Sequence, residues 1–269
     1  MRPIGNTRLS RSALAALLTI ALASAPSAAR ASSTDDPSRA VPAMTAASAT
    51  TAIATAAAPD VSDAEIAASN AKIGSAFHAL VTMWQARFAQ LGTRFVPPSL
   101  LAYRGPVRTA CGVMHQDNAA YCAARNTIYF DEVFLARLAG AAAVQLRTDG
   151  DMASIGVIAH EMGHAVVSQL GADSRIPYEN EAAADCLAGA FTQESQHDGS
   201  LEPGDLDEAF FGLAAAGDPT PQLTGDQRID RRIVTRASLM GHGSRDQRLA
   251  NFRAGYQSGA GVCVSQLGR

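Results

Sequence analysis

Ile158-Ala159-His160-Glu161-Met162-Gly163-His164 is the stretch on which the fold turns. It carries the pattern H-E-x-x-H inside a run where Ile155, Ile158, Met162, Ala165, Val166 and Leu170 recur at helical spacing. On a helix, His160 and His164 stand four residues apart on one side. Two neutral imidazoles on one face form a pair of zinc ligands. Glu161 follows the first of them, where it can reach a zinc-bound water and take its proton. Catalytic zinc needs a third protein ligand and keeps a fourth position for water, and a ligand histidine needs a partner for its other ring nitrogen.

The downstream sequence offers both. Glu181 and Asp185 are again four residues apart, in a segment that Pro177 can open as a helix. Glu181 would complete a His-His-Glu set, and Asp185 would accept a hydrogen bond from a ligand histidine. Glu179 competes for the ligand role but has no acidic partner one turn on. Taken alone, the three acids also fit a solvated helix start favoured by the helix dipole. The small side chains of Ala182, Ala183 and Ala184 would let this helix lie close to the first. The metzincin continuation is excluded, because Val167 and Leu170 stand where its glycine and third histidine belong. A thermolysin-like arrangement, with a glutamate on the following helix, is the one that fits.

These blocks, with Gly241-His242-Gly243-Ser244-Arg245-Asp246-Gln247-Arg248 and the upstream Thr109-Ala110-Cys111-Gly112 and Tyr121-Cys122, resemble a family of bacterial neutral zinc metallopeptidases. That family carries H-E-F-G-H, E-L-Q-A-D-C-L-A-G and H-G-S-x-x-Q-R in the same order. The resemblance runs from about Phe77 to Cys263. It departs at Met162, and at Ala182-Ala183 where the family has Leu-Gln. The layout is similar to that of HtpX-type membrane zinc proteases, which pair a downstream histidine with an arginine six residues later, as His242 and Arg248 are spaced here. The resemblance therefore implies a catalytic part for both. His242 would donate to the developing oxyanion, and Arg248 would orient it or contact a carboxylate. Ser244 and Gln247 form a capping box, so a helix is expected to begin there. Without the resemblance, both would read as a surface histidine and a solvated arginine.

Residues 1–31 have the form of a secretory signal peptide. Arg2, Arg8 and Arg11 precede an apolar run from Ala13 to Ala25, and Ala29-Arg30-Ala31 offers a cleavage site. An uncleaved membrane anchor is the alternative, and the only expected route to a membrane. Residues 32–60 are Ala, Ser, Thr and Pro with few large apolar side chains, and read as a disordered tether. Ser62 and Glu65 form a capping box where the folded domain, 61–269, should start. Removing residues 1–31 leaves 18 basic against 25 acidic residues. No basic patch speaks for nucleic acid. Four cysteines in an exported chain predict disulfides in a periplasmic or secreted protein. Cys111 and Cys122 bracket an expected hairpin and should pair, which leaves Cys186 with Cys263. Four free thiols remain the outcome if the chain is not exported.

The expected fold is α+β: a mostly helical, zincin-like domain with a small sheet or hairpin ahead of the active-site helix. The first helix should run from about Asp63 to Leu91, burying Ile73, Phe77, Leu80, Trp84 and Phe88. A β region should follow from Val107 to Phe130, then the motif helix, the Glu181 helix, one from Asp205 to Ala216 and one from Ser244. His78, His115 and His197 read as bystanders. The expected function is a zinc endopeptidase with one Zn2+ per chain, acting on a protein or peptide, with an upstream strand edge able to bind the substrate backbone. The alternatives are a catalytically inactive, zinc-stabilised binding protein of the envelope, and a metal-free domain in which the motif is coincidental.

Overall fold

The computed structural model describes residues 61–218 and 221–265. The expected signal peptide and tether lie outside the described residues. Helix α1, Asp63–Gln90, opens on the Ser62–Glu65 capping box. Its buried stripe holds Ile66, Ile73, Leu80, Met83, Trp84 and Phe88, with Phe77 half-buried.

Strands β1 (Ser99–Tyr103), β2 (Val107–Thr109), β3 (Gly112–Met114), β4 (Ala119–Cys122) and β5 (Thr127–Asp131) follow. They make a three-stranded sheet in the order β1-β5-β4 and a separate β2-β3 hairpin. The central strand β5 is parallel to β1 and antiparallel to β4, and Ile128 and Phe130 enter the main core. Strand β1 lies ahead of the β region expected from sequence. It is short and largely exposed, and its partner comes from the far side of the hairpin, so no local alternation marks it.

Five helices complete the frame that holds the site. They are α2 (Glu132–Leu146), α3 (Asp151–Gln169), α4 (Pro177–Asp198), α5 (Asp205–Ala215) and α7 (Arg245–Ser258). Between the last two lies α6 (Gln227–Met240), and α8 (Ala260–Ser265) ends the described chain. Helix α2 was not expected. The apolar run Val133-Phe134-Leu135 follows the strand without a break, and only the Asp131 carboxylate, capping the amides of Val133 and Phe134, turns strand into helix. Nor was α6, whose Ile229, Val234 and Leu239 stay exposed although Ile229, Ile233 and Ala237 recur at helical spacing in its sequence. The fold is a mostly helical α+β domain, as the sequence led us to expect.

Helix α3 is the axis of the structure. It is buried on nearly every side, with α1, α2, α4, α5 and β4 around it. Helices α3 and α4 meet where Gly163 faces Ala184. A Cβ on Gly163 would lie 2.8 Å from the Ala184 Cα and 2.9 Å from its carbonyl oxygen, closer than packed atoms allow. Helices α4 and α7 are locked by a reciprocal pair, Gly189 against the Phe252 backbone and Gly255 against the Cys186 backbone. Small residues thus set the approach of the two helices that flank α4; the alanine run had indicated this for α3 alone.

Both expected disulfides are present. Cys111–Cys122 has a Cα–Cα distance of 5.7 Å and Cys186–Cys263 one of 5.4 Å. Cys111 sits in the β2-β3 turn rather than at the base of a hairpin closed by Cys122, so this bond pins the hairpin tip to the end of β4. Cys186–Cys263 ties α8 to α4. Their sequence separations, 11 and 77 residues, differ in the freedom they remove from the unfolded chain. By loop-closure entropy the short bond is worth about 3 kcal/mol and the long one about 4–5 kcal/mol. Replacing both members of the Cys186–Cys263 pair with serine should therefore lower the denaturant midpoint more than the same change at Cys111–Cys122. Equal losses in equilibrium unfolding would show that the chain-entropy difference does not govern them.

Candidate metal centre and active site

Helix α3 presents His160 and His164 one turn apart, with ring centroids 4.7 Å from each other. Helix α4 brings Glu181 against them. The Nε2 atoms of the two histidines are 3.1 Å apart. His160 Nε2 lies 3.2 Å from Glu181 Oε2, and His164 Nε2 lies 3.5 Å from Glu181 Oε1. Two atoms each about 2.0–2.1 Å from a tetrahedral zinc stand about 3.3 Å apart. The three separations cluster around that figure, so these donors fit one zinc ion. Glu181 Oε2 is also buried, and what faces it is the His160 ring nitrogen 3.2 Å away rather than a fixed main-chain donor. Glu179 is turned elsewhere and accepts a hydrogen bond from the Ser174 hydroxyl.

Asp185, fully buried one turn after Glu181, accepts the Nδ1–H of His160 at 2.8 Å. In the neutral ring that bond leaves the Nε2 lone pair facing the Glu181–His164 side. Arg248 reaches the same carboxylate from α7, with Nη2 2.7 Å from Oδ1 and Nε 3.2 Å from both oxygens, and gives Nη1 to the Ala216 carbonyl at 2.9 Å. Arg248 Nη2 and His160 Nδ1 are 3.2 Å apart because both donate to Asp185 Oδ1. Arg248 is buried and lies behind His160, on the Nδ1 side of the ring. Of the two contacts weighed for it from sequence, the carboxylate contact is the one formed.

Glu161 points toward the sheet. Its Oε2 accepts the main-chain N–H of Tyr121, on the outer strand β4, at 2.8 Å. His242 stands on the loop before α7, its side chain 60% exposed, with Nε2 4.0 Å from Glu181 Oε2. Its Nδ1 is 3.5 Å from Asp218 Oδ1. Asp218 also straps the loop, since its Oδ2 accepts the Gly243 N–H at 2.9 Å and its own N–H donates to the Gly243 carbonyl at 2.9 Å. Gly243 has φ +97°, with the Tyr178 ring beside it, so a side chain there would be both strained and crowded. The Ser244–Gln247 capping box then starts α7. Asp218 and the Tyr121 amide were not singled out from sequence. A lone aspartate after a helix carries no motif, and a main-chain donor leaves no trace in residue type. His78, His115 and His197 are exposed and form no part of this centre.

The electrostatics follow from these contacts. Burial works against a charge on His160, but Asp185 and then Glu181 outweigh it and lift the pKa of the metal-free ring to about 10. Burial would likewise raise the Glu181 carboxyl, yet the two facing imidazoles hold it far below the carboxylate range. A raised histidine pKa stabilises the metal-free fold fully below about 6.5, the unfolded value, and this contribution is lost as pH rises through about 10. Zinc binds only the neutral ring, so loading near neutral pH must displace a proton. Zinc titration calorimetry in two buffers of different ionisation enthalpy should show different apparent heats, with proton release. Buffer-independent heats at pH 7 would refute the charged metal-free site.

Comparison with known proteins gives the centre a context. Residues 34–265 match the family described as "Putative neutral zinc metallopeptidase". The chain is 34% identical over 202 residues to the uncharacterized protein YpfJ of Escherichia coli K12, covering 69% of this chain and 67% of that one. It is 31% identical over 187 residues to an uncharacterized protein of Mycobacterium tuberculosis, covering 61% of this chain and 60% of the relative. No solved structure gave a significant match. The family match spans most of the chain, and the motif blocks that carry it meet at one centre in the fold: the chain belongs to the neutral zinc metallopeptidase family.

Proposed function

We propose that this protein is an exported zinc endopeptidase, with His160, His164 and Glu181 holding one zinc ion and Glu161 serving as general base. The observation that carries this reading is the mutual spacing of the three donor groups, with Glu161 next to a ligand and anchored to a strand edge. Bound there, zinc would polarise a scissile carbonyl and acidify a water molecule. Glu161 accepts the water proton and delivers it to the leaving amine. Its Oε2 is held by the Tyr121 N–H, which fixes the carboxylate while its other oxygen exchanges the proton. Asp185 holds His160 in the tautomer that frees Nε2, and Arg248 holds Asp185. His242, exposed and facing Glu181, donates to the carbonyl oxygen as negative charge builds there.

The outer edge of β4 supports an extended peptide as substrate. This strand ends the sheet and runs beside the motif helix, so a peptide can add to it as a further strand and place a bond near Glu161. Among the described residues no helix is long and apolar enough to cross a membrane. The two disulfides fit an oxidising compartment, which supports the periplasm or the exterior as the place of action.

Glu161→Gln should retain zinc and fold while peptide hydrolysis falls to background, because the residue is not a ligand and acts on the proton alone. Zinc content by mass spectrometry of metals, beside turnover of a broad peptide library, tests this. Parental activity in the variant would remove the mechanism, and a zinc-loaded parent inert on every peptide would favour the inactive envelope binding protein. His242→Ala separates a second point. If the imidazole acts in the transition state, kcat should drop about a hundredfold or more with KM and zinc content nearly unchanged. Weakened zinc binding would make it a fourth ligand instead, and unchanged kinetics would make it a surface residue.

A further inference from the structure

A second group of acidic side chains lies at the far end of α3. Asp149, Asp151, Asp205 and Glu208 bring carboxylate oxygens within 4.8 Å of one another. His160 is nine residues along α3 from Asp151, about 14 Å at the rise of a helix, so this group is separate from the zinc centre. Asp149 and Asp151 flank Gly150 where α3 begins, and Asp205 and Glu208 stand in the first turn of α5. Glu208 is fully buried, and its two oxygens accept the main-chain N–H groups of Gly150 at 3.0 Å and Met152 at 2.9 Å.

Proximity of acids alone is no site, but Asp205 adds an independent observation. Only 4% of it is exposed, and its Oδ2 accepts the Glu202 N–H at 2.7 Å. Its Oδ1 is buried and meets no hydrogen-bond partner among the described residues. The Thr148 hydroxyl, next to Asp149 in sequence, is buried without a partner too. A buried, unpartnered carboxylate oxygen is costly unless a cation or donor faces it. Among the described residues the cation that pairs with the group is Lys72 of α1, which reaches Asp149 and lies 2.9 Å from Asp151. One ammonium against four carboxylates leaves the cluster undercompensated. Burial, with the neighbouring carboxylates behind it, lifts the Asp205 carboxyl to about 6.

We infer that Asp149, Asp151, Asp205 and Glu208 form a calcium site that fastens the start of the zinc-binding helix to α5. The donors are all oxygen, which suits a hard cation rather than zinc. Calcium takes six to eight oxygen ligands, carboxylates among them, whereas magnesium keeps several waters and is usually held by one or two carboxylates. Four protein carboxylates at one place suit calcium. Calcium would give Asp205 Oδ1 its missing partner and compete with Lys72 for Asp149 and Asp151.

The test uses the whole zinc-loaded chain in calcium-free buffer, with zinc content checked at every step so that metal exchange at the first centre is recognised. Titration with calcium chloride should show binding, and calcium at a hundredfold excess over Kd should raise the melting midpoint by about 5–10 °C. Asp205→Asn should weaken binding by about tenfold or more, and so should Asp149→Asn, an exposed position whose change leaves the buried packing intact. Lys72→Gln, which removes the competing ammonium, should tighten it. The assignment is overturned if calcium neither binds nor shifts the midpoint, if magnesium does as well at equal concentration, if both carboxylate variants keep the parental affinity, or if Lys72→Gln leaves affinity unchanged.

Discussion

The Asp185 carboxylate holds this protein's site together. It is fully buried on α4, yet it receives His160 from α3 and Arg248 from α7, while the other arm of Arg248 reaches the carbonyl of Ala216 just past α5. One oxygen pair therefore reads the positions of four helices. A charge so placed is tolerable only when every partner is present, and removing one half of such a pair costs about 3–5 kcal/mol. The arrangement adds little stability by comparison with a well-packed apolar replacement. What it supplies is definition: the imidazole is held in one orientation, and once its Nε2 proton is displaced it is left in one tautomer.

That definition depends on helices close enough for short side chains to meet. The span from Asp185 to His160 Nδ1 is a single hydrogen bond, and an aspartate has no length to spare. Gly163 against Ala184, and Gly189 and Gly255 against the opposing backbones, bring α4 to the required distance on both sides. Polar chemistry and small-residue packing are thus one constraint. A methyl group at any of these glycines would push α4 away and open the bonds Asp185 makes.

The parts of this architecture legible in the sequence are those written in helical periodicity. His160, Glu161 and His164, then Glu181 and Asp185, lie at spacings that a helix converts directly into shared faces, and the capping boxes at Ser62 and Ser244 announce their helices locally. What escaped was non-local. Strand β1 gains its identity from a parallel partner beyond the hairpin; α2 and α6, by contrast, do carry apolar residues at helical spacing, and only the switch from strand to helix at Asp131 hides where α2 begins. The loop that carries His242 is held by Asp218, which arrives from the end of another helix. The acids around Asp205 likewise come from two segments more than fifty residues apart. Tertiary contacts of this kind leave no spacing to read.

The hydrogen bond from Tyr121 to Glu161 belongs to the main chain, and this sets how the site can vary. A base anchored by a side chain is lost whenever that side chain changes. An amide anchor survives any substitution at position 121 except proline, which alone lacks the N–H. What constrains residue 121 is instead its own packing, since the Tyr121 side chain lies against the main core and its hydroxyl donates to Asn126 Oδ1. On the proposed reading, in which a peptide adds to β4, the side chains of this strand could therefore change recognition without moving the Glu161 anchor, and the two properties would drift independently within one short strand.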